Sequence, residues 1–160
     1  VAYTIVFAAL CIRLRAVGAH RQLTLLAGAL LGATALLDIV ENVHFLTMIS
    51  AAEQGLRIGD GEIRSQVVES MIKFHCSYLG LVLFGLLLPP VSKLARALKA
   101  TLIWVQLPVG VAIYVVPASI AVPLVFVRFT FFVGALLALG GLGEATLDGP
   151  QRESATDAPP

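Results

Sequence analysis

Four long stretches without a formal charge decide what this chain can fold into. Residues 22–37 hold 16 such positions, 74–92 hold 19, 100–127 hold 28 and 129–143 hold 15. A helix that crosses the hydrocarbon core of a bilayer needs roughly 20 predominantly apolar residues at about 1.5 Å each. Drawn as one helix, 101–143 would run to about 64 Å, about twice that thickness. It therefore has to fold back. Pro117 and Pro123 bracket VPASIAVP, and a proline breaks the helical hydrogen-bond ladder, so the turn is placed there. Two spans result, about 101–117 and 121–143, the first kinked at Pro108.

The apolar pattern that opens at residue 23 runs on through Asp38 and Glu41 to about residue 49. Pro89-Pro90 closes the following span, 67–88, because neither residue continues a helix comfortably. The first twelve residues, VAYTIVFAALCI, are uncharged and end at Arg13. That is short of a full crossing, and it reads as the remainder of a helix whose head lies before Val1. A signal peptide carries its positive charge ahead of the apolar run, whereas here the charge follows. The expectation is an all-α integral membrane helical bundle. One domain, 1–143, holds about five spans (1–12, 23–49, 67–88, 101–117 and 121–143), the first of them truncated. The polar, proline-containing tail 144–160 is expected to be disordered and cytoplasmic.

Composition excludes the main alternatives. The chain is 58 % apolar and 13 % charged, where soluble domains carry about 25 % charged residues. A soluble 160-residue monomer has too small a core to hide that much apolar surface. A net charge of +1 excludes a strongly basic nucleic-acid binder. Two cysteines, Cys11 and Cys76, exclude a disulfide scaffold and a CxxC metal knuckle. They fall at opposite ends of their spans and cannot meet.

Short connections carry the orientation signal. Arg13, Arg15 and Arg21 flank the first connection, Arg57 and Arg64 the second, Lys93, Arg96 and Lys99 the third, and the fourth has no Lys or Arg. The excess of Lys and Arg places 13–21 and 92–100 in the cytoplasm and the multi-pass chain in a plasma membrane of bacterial inner-membrane type. In the second connection, Gly59-Asp60-Gly61 is a turn signal. Beyond it Ile63, Val67 and Met71 recur every four residues among Glu62, Arg64 and Glu69. That spacing predicts an amphipathic helical extension leading into the third span.

Charges inside spans are the informative residues for function. LLDIVENVH puts Asp38, Glu41 and Asn42 at i, i+3 and i+4, on one side of a helix, with His44 on the flank one turn from Glu41. KFHCSY opens the next span, where Lys73, Cys76, Ser77 and Gly80 share a side. The last span carries Arg128. At about 1.5 Å per residue, Glu41 lies roughly 12 Å below its span end, Lys73 roughly 9 Å and Arg128 roughly 10 Å. Two carboxylates and two cations thus reach one layer on the outer side. An isolated charge at a span centre costs about 2.5–3.5 kcal/mol on insertion scales, so mutual pairing of all four is expected. Such a layer either lines a site for a substrate, ion or proton, or is an ion network that fixes helix register.

The remaining features are weaker. His44 and His75 lie on adjacent spans, as haem ligands or metal ligands with Glu41 and Asp38 can, but packing roles fit them better, and no cofactor or metal is assigned. Gly28 and Gly32 form a GxxxG that lets a helix approach within the bundle, and oligomeric state stays open. Trp104 reads as an interfacial anchor near the cytoplasmic end of its span, and Tyr114 as a group able to reach the polar layer.

At LLDIVENVH followed by IKF, the chain resembles uncharacterised bacterial multi-span membrane proteins with an LDxxEN segment in one span and Lys-Phe at the head of the next. The matching residues are Leu37, Asp38, Glu41, Asn42, Lys73 and Phe74. The resemblance covers the second and third spans and implies no activity, substrate or cofactor. It implies that the charged residues form a motif. Three functional classes follow, and no catalytic residue is assigned. The first is a non-enzymatic subunit or binder of a small apolar or ionic ligand, with membrane lipid as its other partner. The second is a proton-coupled transporter titrating Asp38 or Glu41. The third is a membrane enzyme acting on a lipid or quinone, with Glu41 and His44 as acid–base pair. The candidate polar site comprises Asp38, Glu41, Asn42, His44, Lys73 and Arg128.

Overall fold

A computed structural model describes residues 2–16 and 18–141 of the chain. Within them it is entirely helical, with no strand: α1 (Ala2–Ala16), α2 (Arg21–Glu53), α3 (Asp60–Leu87), α4 (Lys93–Trp104), α5 (Gln106–Val115) and α6 (Ala118–Gly141). Four stretches are long and apolar enough to cross a membrane: α2, α3, the α4–α5 pair over Lys93–Val115, and Ala118–Ala138 of α6. The fifth apolar segment, α1, has 15 residues. The chain is a helical membrane bundle. The tail expected over 144–160 lies outside the described residues.

Local chemistry accounts for the helix ends. α3 starts after Gly59 with Asp60 and Glu62 in its first turn, where carboxylates complement the helix dipole. It stops as Leu88 turns extended ahead of Pro89, the conformation a proline imposes on its predecessor. The next helix departs from the expectation of a connection over 92–100. Ser92 Oγ accepts from the Ala95 amide at 3.0 Å, and the capped helix begins at once at Lys93. Ala95, Leu98 and Leu102 then face the core at helical spacing. Trp104 consequently falls midway along Lys93–Val115 instead of near its end.

Proline placement differs in detail from the expectation. The helix is distorted at Val105, between α4 and α5, although Val105 still donates to the Thr101 carbonyl at 3.1 Å and accepts from the Val109 amide at 3.0 Å. Pro108 has no N–H for the Trp104 carbonyl, and its ring crowds that oxygen. The fold-back between α5 and α6 takes only Val116 and Pro117. Pro123 lies inside α6, in its second turn.

The helices close into a ring: α1 packs on α2, α2 on α3, α3 on α4 and α5, both of these on α6, and α6 on α1. The α2–α3 interface is the largest. Small residues set its closeness. A Cβ on Gly80 would lie 2.8 Å from the Leu31 side chain, and one on Gly28 3.0 Å from Cys11 Sγ, so Gly28 serves packing of α1 within the bundle. Gly32 has open space around it. Phe7 stacks on Phe84 with ring centroids 5.7 Å apart, tying α1 to α3.

Burial is reversed relative to a soluble domain. Lys73 and Gln106 are only 6 % and 1 % exposed, whereas Phe126 and Leu137 are 69 % and 74 % exposed. Apolar side chains on the outside and polar ones inside are what lipid as solvent selects.

Candidate functional site

The α2–α3 seam carries most of the polar residues. Asp38 and Glu41 project from α2 toward Lys73 of α3. Lys73 Nζ lies 2.9 Å from Asp38 Oδ1 and also bonds Glu41 Oε2. Gln66 Nε2 donates to the other Glu41 oxygen at 3.4 Å. Thr34, one turn before Asp38, donates to the Leu30 carbonyl at 2.9 Å and reaches the Lys73 carbonyl at 3.5 Å. One turn beyond Glu41, His44 Nδ1 sits 2.5 Å from Glu62 Oε1, and its Nε2 sits 3.3 Å from Glu69 Oε2. The ammonium of Lys73 is thus held by two carboxylates from one neighbouring helix, which offsets the cost of taking it out of water.

The contact line along α2 advances by threes, through 38, 41 and 44. Asn42 falls off that line, is exposed, and its side chain makes no hydrogen bond among the described residues. Its inclusion in the polar cluster is corrected. Glu41 and His44 do not pair with each other: each has its own partners on α3.

Arg128 is the second correction. Mutual pairing of four charges is not what the fold produces. Among the described residues no carboxylate lies within ion-pair distance of Arg128. Its Nη1 donates to the Tyr78 hydroxyl at 2.5 Å. Its guanidinium carbon stands 4.6 Å from the Phe74 ring centroid and 4.9 Å from that of Tyr78, so two aromatic faces take the place of an acid. Its Nε is buried without a hydrogen-bond partner. Gln106, the first residue after the distortion at Val105, donates from Nε2 to the Arg128 carbonyl at 3.4 Å.

These residues border a cavity of about 430 Å³ between α2, α3, α5 and α6, with α1 closing one side. Asp38, Lys73, Ser77, Gln106 and Arg128 supply its polar wall. Phe7, Phe126, Phe129 and Phe132 supply an apolar one. Phe126 and Phe129 are also exposed on the outside of the bundle, so the cavity opens between them toward the lipid. Size and lining match a site, open on that side, for a small amphipathic molecule.

The other candidates lie apart from this cavity. His75 is exposed, donates from Nδ1 to the Met71 carbonyl at 2.7 Å, and has the Tyr114 ring at 5.4 Å. Cys11 and Cys76 are both free thiols. Among the described residues no group of three or more His, Cys, Asp or Glu is placed to hold a metal ion. Sequence reasoning missed Tyr78, Gln66 and Gln106, and did not pair His44 with Glu62 and Glu69. A signal existed for Gln106, a lone amide within 28 uncharged residues. The partners of His44 depend on how α2 and α3 cross, which spacing along one helix does not encode. No family model, curated protein or solved structure matches the chain.

Proposed function

We propose that this multi-pass protein is a non-enzymatic binding subunit that holds a small amphipathic molecule in the cavity beside Lys73 and Arg128. One observation carries the reading: a cavity of about 430 Å³ with charged groups on one wall and four phenylalanines on the other. Intramembrane ionisable residues are costly, and those that line a cavity mark ligand or ion sites. The Arg13/Arg15/Arg21 and Lys93/Arg96/Lys99 clusters favour a cytoplasmic position for both, in a bacterial inner membrane, with the C-terminus on that same side. Asp38 of the LDxxEN segment and Lys73-Phe74, the residues that carry the resemblance to bacterial membrane proteins, border this site, with Glu41 behind them on Lys73.

The experiment is extraction and mass spectrometry of small molecules from purified wild type and from Ser77→Phe, which fills the cavity. A compound retained in stoichiometric amount by wild type and lost from the variant is the expected result. Identical extracts from the two proteins would defeat the reading. A second reading, a proton-coupled carrier titrating Asp38 or Glu41, draws support from the distortion of the Lys93–Val115 helix at Val105 and Pro108 beside the site, since carriers interrupt helices at their binding sites.

A further inference from the structure

Arg128 and Lys73 border the same cavity, but their surroundings differ. Lys73 is engaged by Asp38 and Glu41. Arg128 has only neutral partners: a hydroxyl at one Nη and two aromatic faces. A guanidinium out of water retains its charge under all accessible conditions, so it needs an acceptor of opposite charge. Its bond to Tyr78 uses Nη1, which leaves the edge formed by Nε and Nη2, and Nε is buried with no partner. That edge presents two parallel N–H donors, the arrangement that matches the two oxygens of a carboxylate.

We propose that the occupant of this cavity is a single-chain amphiphile with one carboxylate, its head on the Nε–Nη2 edge of Arg128 and its chain against Phe126, Phe129 and Phe132. The assignment rests on the binding reading above and names the ligand class within it. A single charge is called for because, of the two cations lining the cavity, Lys73 is ion-paired with Asp38 and Glu41, while among the described residues no carboxylate lies within ion-pair distance of Arg128. Size agrees: at about 30 Å³ per water-sized group, the cavity has room for roughly 14 non-hydrogen atoms, which suits a small head and one chain. Ser77 and Gln106 border the same cavity and supply further polar contacts for the head. The phenylalanine wall accounts for the chain, since aromatic faces bury large apolar area.

The test uses the full chain in lipid nanodiscs, with equilibrium binding of decanoate and of decanol, each corrected for partition into empty nanodiscs. Decanoate is expected to saturate at one per chain and to bind about ten- to a hundredfold tighter than decanol, the worth of a charge-assisted pair. Arg128→Gln should abolish that difference. Arg128→Lys, which keeps the charge and loses the paired donors, should keep part of it, and it serves where the glutamine variant does not fold. Tyr78→Phe, which leaves the Nε–Nη2 edge in place, should retain the preference. Equal binding of decanoate and decanol by wild type would overturn the carboxylate assignment and leave a plain apolar-ligand site. An undiminished preference for decanoate in folded Arg128→Gln would overturn the role of Arg128. If neither probe saturates, the assignment falls together with the reading it rests on.

Discussion

Gly110 lies so close to Tyr78 that a Cβ at position 110 would fall 2.5 Å from the phenol ring. Tyr78 is fully buried and carries the hydroxyl that receives Arg128, so the absence of a side chain at 110 fixes the ring on which the guanidinium rests. Gly110→Ala should therefore destabilise the bundle by about 1–3 kcal/mol, the usual cost of overpacking. Thermal unfolding in detergent measures it. Tyr78→Leu in the same chain should recover part of the loss. Gly32→Ala, where nothing lies within 4 Å, serves as the control and should match wild type or exceed it slightly.

Topology gives a second prediction. Four crossings between residues 21 and 138 place the 54–59 connection opposite to the 88–92 connection. Reporter fusions after Asp60 and after Arg96 should report opposite sides, with Arg96 cytoplasmic. Two fusions reporting the same side would remove a crossing from the bundle.

The His44 contacts give a third. His44 of α2 faces Glu62 and Glu69 of α3, while Lys73 further along α3 holds Asp38 and Glu41. The imidazole attracts both carboxylates only while it carries its second proton. A double-mutant cycle between His44→Gln and Glu62→Gln should show favourable coupling at acid pH. That coupling should fade as the pH rises and the imidazolium is lost, and shrink with added salt, because the pair is partly exposed. Coupling unchanged across pH would mean that a neutral hydrogen bond, not charge, holds the contact.

What was legible in the sequence follows from what each signal depends on. Charge-free length and proline placement are properties of the chain alone, so the helical bundle and the closing of α3 before Pro89 could be read directly. The proximity of Lys73 to Asp38 and Glu41 was readable because depth along a span is counted in residues. Azimuth was not. Arg128 shares a depth with the acids, but the position of α6 turns it to Tyr78 and Phe74, and counting cannot see that rotation. Asn42 failed for the same reason, since the α2–α3 crossing sets which side of the Asp38–Glu41–His44 line meets α3. The early start of α4 was missed because three cations read as a connection, although Ser92 before LARAL is a capping signal.

Lys73 decides between a scaffold and a site. Removing one partner of a buried ion cluster leaves the others uncompensated and typically costs about 3–5 kcal/mol. Lys73→Met should lose about that much, because Asp38 and Glu41 then face each other without a cation. Replacing a buried cluster wholly by apolar groups of similar volume is often neutral or stabilising. Since both acids engage the ammonium, Asp38→Leu or Glu41→Leu alone should restore only part of the loss, and the triple substitution most of it. Thermal unfolding orders the four proteins. Wild-type stability of Lys73→Met would refute the pairing. The folded triple variant then carries the functional answer, read with the same decanoate measurement. Arg128, Ser77 and the phenylalanine wall remain in place, so decanoate binding that persists makes the Asp38–Glu41–Lys73 cluster a helix-registering scaffold beside the cavity. Binding lost from a stable triple variant makes the cluster part of the site itself, with Asp38 and Lys73 in the cavity wall helping to orient the head.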